Sequence, residues 1–166
     1  MMATTEQIAQ ITAGDSHNLV LMSSGRLYTF GYNQQGQLGH GSTKNVNMAR
    51  PIDSVLENAD LPDECSPAPK WISIAGGRDH SLAVSRNGFV YVTGSNAKGC
   101  LGLPVLSHAI YFSKLHTSQT KKVSKVFAGV DHSFILLEEI EPSQRRINFH
   151  DDKSEILADI TQDGYT

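Results

Sequence analysis

The stretch Ala75–Gly102, AGGRDHSLAVSRNGFVYVTGSNAKGCLG, is written more than once in this chain. Ala13–Gly39 reads AGDSHNLVLMSSGRLYTFGYNQQGQLG, and Ala128 opens the same phrase again with AGVDHSFILL. Aligned on His17, His80 and His132, the first two copies place glycines at matching offsets: Gly25 with Gly88, Gly31 with Gly94, Gly36 with Gly99, and Gly39 with Gly102. The histidines stand 63 and 52 positions apart. Self-similarity at a period of about 50 to 60 residues belongs to solenoids and propellers, where each small unit buries its apolar faces against its neighbours.

Each copy reads as a small antiparallel sheet. Trp71–Ala75 is a β-branched and aromatic run stopped by Gly76-Gly77, Ser81–Val84 is a second strand, and Phe89–Thr93 a third. Asn87-Gly88 between the last two favours the positive φ angles of a tight hairpin. Gly94–Gly102 suits a looping return rather than a helix. The central strands Leu19–Met22 and Phe134–Leu137 are apolar throughout, without alternation, so they are expected to be covered on both faces, as stacked blades would do. Ile8 and Ile11 read as the strand before copy one, the counterpart of Ile72 and Ile74.

Alanine-glycine, histidine-serine, an apolar strand, Gly-x-apolar-Tyr-x-x-Gly, then Asn-x-x-Gly-x-Leu-Gly resembles the repeat of the regulator of chromosome condensation family. Copy two carries it on Ala75, Gly76, His80, Ser81, Gly88, Tyr91, Gly94, Asn96, Gly99, Leu101 and Gly102. Copy one carries it on Ala13, Gly14, His17, Gly25, Tyr28, Gly31, Asn33, Gly36, Leu38 and Gly39, and copy three begins it with Gly129 and His132. The resemblance implies a seven-bladed β-propeller of four-stranded blades. The chain is therefore expected to be all-β, about two and a half antiparallel blades over residues 1–137. Residues 138–166 are expected to form a polar, weakly structured tail, with a short helix suggested by Ile156, Leu157 and Ile160.

Composition sets the outer limits. The chain has 166 residues, 39% hydrophobic and 19% charged, with a net charge of −3. That is a globular composition without a pervasive phosphate-binding surface. Cys65 and Cys100 have no ligand-like spacing, which fits a reducing compartment. The opening residues lack a basic region followed by an apolar core, so no secretory signal is read and a cytoplasmic or nuclear location is expected.

The segment between copies one and two is long around Ser54–Lys70, SVLENADLPDECSPAPK, with acidic residues and three prolines. It reads as an exposed loop excursion or a partner-binding protrusion. The resemblance associates GTPase contact with a wedge-like hairpin on the propeller, but this insert shows no hairpin turn chemistry.

Asp15, Asp79 and Asp131 lie near the repeated histidines, yet a catalytic constellation brings unlike residues together once, whereas these recur once per repeat. The histidines read instead as scaffolding that bonds backbone groups between strands. No phosphate loop or zinc spacing appears: Lys98 precedes Gly99-Cys100, and His40, His108, His116 and His150 are scattered singles. The basic clusters Lys121, Lys122, Lys125 and Arg145-Arg146 are too small to make nucleic acid an expected partner. The sequence thus points to a non-enzymatic protein-interaction module without cofactor, metal or membrane, able to self-associate through uncapped blades. The alternative is nucleotide exchange on a Ran-like small GTPase at chromatin, which the resemblance links to a full ring of blades.

Overall fold

A computed structural model describes residues 6–58, 65–104, 107–116 and 121–139, which hold twelve β-strands and no helix. The first blade is a four-stranded antiparallel sheet of β1 (Ile8–Ala13), β2 (His17–Met22), β3 (Leu27–Gly31) and β4 (Val46–Pro51), in that order. Two short strands follow, β5 (Ser54–Leu56) and β6 (Cys65–Pro67). The second blade repeats the first as β7 (Trp71–Gly76), β8 (His80–Ser85), β9 (Val90–Ser95) and β10 (His108–Leu115). The strands β11 (Lys121–Ala128) and β12 (Ser133–Glu139) pair as the start of a third. The fold is all-β, built of stacked, mostly antiparallel blades.

The two complete copies share their register: His17 faces Gly31 and Leu21 faces Leu27, as His80 faces Gly94 and Val84 faces Val90. The hairpin between β8 and β9 is a three-residue loop rather than a two-residue Asn-Gly turn. Gly88 N–H donates to Ser85 C=O at 2.9 Å, Ser85 N–H donates to Phe89 C=O at 2.8 Å, and Gly88 takes the left-handed conformation at φ +84°. A turn followed by a left-handed glycine closes such loops without splaying the strands.

Apolar side chains gather into two cores, one at each joint between blades. Leu19, Leu21 and Leu27 of the first blade pack on Trp71, Ile74, Ala83, Tyr91 and Phe112 of the second. Leu82, Val84, Val90 and Val92 of the second pack on Val123 and Val126 of the third. Among the described residues only the middle blade is covered on both faces, so all six residues of β8 are buried while β2 alternates between buried and half-buried. In β12 the equivalent residues Phe134, Ile135, Leu136 and Leu137 are exposed. The expectation of two-sided cover fails for both strands on which it was read, β2 and β12, and is met in β8, which has a neighbouring blade on each side.

The outer strands β4 and β10 supply the fourth strand that the resemblance implies for each blade. Two expectations change. By register Ile8 is the counterpart of Trp71, not Ile72. The 54–70 insert is no simple excursion: β5 and β6 pair antiparallel, β5 adds in parallel to β10 through Leu56 and Ser113, and the second sheet becomes six-stranded. Val55 and Leu56 are buried, Val55 within the core shared by the first two blades. Beyond Glu139, the remainder of the tail and its suggested helix lie outside the described residues.

Burial decides what a truncation costs. Phe112→Ala, at 0% exposure, should destabilise by about 3–5 kcal/mol in chemical denaturation, whereas Phe134→Ala, at 59% exposure, should change stability by less than about 1 kcal/mol.

Candidate interaction surface and the joints between blades

The repeated histidines do not bond backbone groups within their own sheet. His17 Nε2 lies 2.8 Å from Ser81 Oγ, and Ser81 Oγ–H donates to Gln37 C=O at 2.8 Å. The next joint repeats this arrangement: His80 Nε2 is 3.0 Å from Ser133 Oγ, which donates to Cys100 C=O at 2.8 Å. Each serine has one proton and gives it to a carbonyl, so it accepts from the imidazole, and the histidine carries its proton on Nε2. The chain of bonds starts on one blade, crosses to the serine of the next, and returns to the Gly-rich loop of the first. His17 and His80 are both 1% exposed.

Burial, with His80 nearby, lowers the His17 pKa from 6.5 to about 4, and the flanking Asp15 charge offsets little of that. Burial likewise lowers His80, opposed by the charges of Asp131 and Asp79. Both rings are neutral near pH 7, as donation from one nitrogen requires. The aspartates do not orient the rings: Asp79 accepts from Gln37 Nε2 at 3.3 Å, and Asp131 pairs with Arg78 at 2.5 Å.

The glycines of the motif serve this packing. Gly25, Gly31, Gly36, Gly39, Gly88, Gly94, Gly99 and Gly102 all have positive φ. A Cβ on Gly14, Gly77 or Gly129 would instead strike the imidazole of its own repeat, although none of the three has positive φ. The glycine equivalent to Gly14 is therefore Gly77, which the sequence reading passed over in favour of its neighbour Gly76. Asn33 and Asn96 tie the return loops. Their side-chain oxygens accept from Leu38 N–H and Leu101 N–H, and their amides donate to carbonyls across each loop, including Ser42 and Leu103.

The surface that departs from the repeat is the β5–β6 pair. Glu57, just past β5, accepts from Tyr91 O–H at 2.7 Å and pairs with Lys114 at 2.8 Å, while Lys114 sits 3.9 Å over the Phe89 ring. Burial works against ionisation of Glu57, but the bonds from Lys114 and Tyr91 and the Lys114 charge together hold its carboxyl below the usual range. Burial and the Glu57 contact push the Tyr91 hydroxyl up. One acidic residue of the insert thus fastens the strand pair to the second blade. β6 is the free edge of the sheet, and Pro67 there limits further strand pairing.

Among the other singled-out residues, His40 Nε2 is 2.9 Å from Thr29 Oγ1, and Lys122 packs beside Gly88. His108 Nδ1 is 3.1 Å from Ser107 Oγ. Arg145, Arg146 and His150 lie outside the described residues.

The regulator of chromosome condensation (RCC1) repeat matches residues 24–84, and a second form of the same repeat matches 8–37 and 71–100. The chain belongs to this repeat family. It is 30% identical over 135 residues to the protein RCC2 homolog of Xenopus laevis, covering 80% of this chain and 24% of that protein. It is 29% identical over 136 residues to the E3 ubiquitin-protein ligase MYCBP2 of Danio rerio, 78% of this chain and 3% of that protein. In structure it superposes on Prp20p of Saccharomyces cerevisiae with a TM-score of 0.70 at 21% identity, over 86% of this chain and 34% of that one. The described residues are a partial RCC1-type β-propeller, and the chain spans about a quarter of the RCC2 relatives it matches.

The buried joints set two expectations. His80→Ala should cost about 1–3 kcal/mol in chemical denaturation, because Ser133 loses its donor inside the joint. For His17, the unfolded chain takes up a proton below pH 6.5 that the folded chain refuses until about pH 4. Stability should therefore fall as pH drops through that window, by up to about 3 kcal/mol from this group. Denaturation curves at closely spaced pH values should show this component in the parent and not in His17→Ala.

Proposed function

We propose that this chain is a non-enzymatic protein-interaction module of RCC1-type repeats, acting in the cytoplasm or nucleus, and that the inserted strand pair is its principal partner-binding element. The observation that carries this reading is the anchoring of β5–β6. A loop tolerated by chance has no reason to bury Val55 and Leu56, pair in register with the outer strand of a blade, and be tied through Glu57 to two further strands. Between β5 and β6 the sequence carries Asp60, Asp63 and Glu64, while Glu57 is already neutralised by Lys114. A partner with a basic face fits that chemistry, since charge complementarity steers encounter and selects partners. Occurrence of the same repeats in proteins as different as an RCC2 homolog and a ubiquitin ligase supports a module whose frame is shared and whose insertions choose the partner.

A second reading, nucleotide exchange on a Ran-like GTPase, draws support from one observation. The insert closes as an antiparallel strand pair, the kind of projecting element the family resemblance links to GTPase contact. Against it, the described residues hold two full blades and part of a third.

Two measurements test this. The purified chain should bind a Ran-type GTPase or core histones with an affinity that drops at least about tenfold in the triple variant Asp60→Asn, Asp63→Asn, Glu64→Gln, with unchanged thermal stability. Unchanged binding in the variant would remove the insert as the site. In stopped-flow assays with fluorescent nucleotide, release from the GTPase should not accelerate. Acceleration above about a hundredfold, roughly 2.7 kcal/mol of barrier, would favour exchange instead.

A further inference from the structure

The two outer faces of the described blades carry complementary halves of the joint that is made twice between them. We propose that copies of this chain associate head to tail, with the β11–β12 face of one copy seated on the β1–β2 face of the next.

The apolar part of the joint is present on both sides. Inside the chain, Leu19 and Leu21 pack on Trp71, Ile74, Ala83 and Tyr91. At the equivalent positions of the third blade stand Phe134, 59% exposed, and Leu136, 48% exposed. At the equivalent positions of the first blade stand Ile8, Ile11, Val20 and Tyr28, with Ile8 58% and Ile11 62% exposed. Exposed apolar side chains are thus grouped at each end, the kind of patch that marks an interaction site.

The polar part is split the same way. His132 repeats His17 and His80, but it is exposed, and its ring lies edge-on to Phe134 with no hydrogen bond to a serine among the described residues. Its Nε2 edge lies over Gly129, where His17 and His80 place the Nδ1 edge over their own glycines, so the ring has turned from the bonded orientation. The missing acceptor has a counterpart at the far end. Copies two and three follow their histidine with Ser81 and Ser133, the residues that receive the bond from the preceding blade, and copy one has Asn18 there. A carboxamide offers both an acceptor for the imidazole N–H and a donor for a loop carbonyl, the two roles the serine hydroxyl fills.

A third element sits near the axis. Gln10 bridges the joint by bonding both Ile74 N–H and Ile74 C=O, and Ser73 accepts from Val126 N–H one joint further on. Lys125 occupies the next position in that series and is exposed. It meets, in the head-to-tail arrangement, the backbone of Ile11, which pairs with Val20 as Ile74 pairs with Ala83 and so presents its C=O to the open side. Lys125 can donate to that carbonyl. Whether the pairs close or extend as chains depends on the rotation at each joint.

Sedimentation or light scattering of the full chain from about 1 µM to about 500 µM tests this, because association is a matter of protomer concentration. The parent should pass from monomer to a species of at least twice the mass. Ile11→Lys and Phe134→Lys, both at exposed positions where folding is not at risk, should each remain monomeric, with at least about a hundredfold weaker association. Circular dichroism of each variant should match the parent. Mixed in equal amounts, the two variants should form a one-to-one dimer, since each retains the face the other lacks. A parent that stays monomeric throughout would overturn the proposal and assign the cover of β12 to another part of the same chain. Association that survives in either single variant, or a mixture that stays monomeric, would overturn it as well, since each requires a different surface.

Discussion

The bond from a histidine on one blade to a serine on the next, closed by that serine's bond back to a loop carbonyl, is the contact on which the other features depend. Apolar burial supplies most of the attraction between blades, but it is non-directional and tolerates sliding. His17 with Ser81 and Gln37, and His80 with Ser133 and Cys100, each set three fixed points inside a joint and so define the spacing of neighbouring sheets. The glycines follow from that geometry. Gly14 and Gly77 leave room for the imidazoles, and Gly31 and Gly94 let β3 and β9 pass close to the histidine backbones. The neutral state of the rings follows too, because a charged imidazole has no place in a joint from which water is excluded.

A frame with these constraints leaves its edges free to vary. The two complete blades differ mainly at the outer edge, where the second has acquired β5 and β6. The addition is bound into the frame by Val55, Leu56 and the Glu57–Lys114 and Glu57–Tyr91 contacts. In this way the added strand pair gains a fixed orientation without disturbing the joints.

Much of this architecture was legible in the residues. The repeat, the three inner strands of the first two copies and the left-handed glycines were readable because backbone constraints act locally and recur at the same offsets. The outer strands were not, since VNMARP in β4 and HAIYFSKL in β10 share no landmark. The pairing of β5 with β6 was hidden because eight residues separate the strands and none forms a tight-turn dipeptide. Gly76 was taken for Gly77 because adjacent glycines look alike until the ring that needs one of them is placed. The histidine partner was the subtlest omission. It lies 64 residues on for His17 and 53 for His80, beyond the reach of local patterning. One signal was present: serine follows the histidine in the two copies that pack on a preceding blade among the described residues.

The most direct test is a double-mutant cycle at the first joint, with His17→Ala, Ser81→Ala and the pair compared by chemical denaturation. The account predicts that the single variants are strongly non-additive, with a coupling energy of at least about 1 kcal/mol between residues on different blades. Additivity within about 0.3 kcal/mol would mean that the histidine and serine act independently, and that apolar packing alone holds the blades in place.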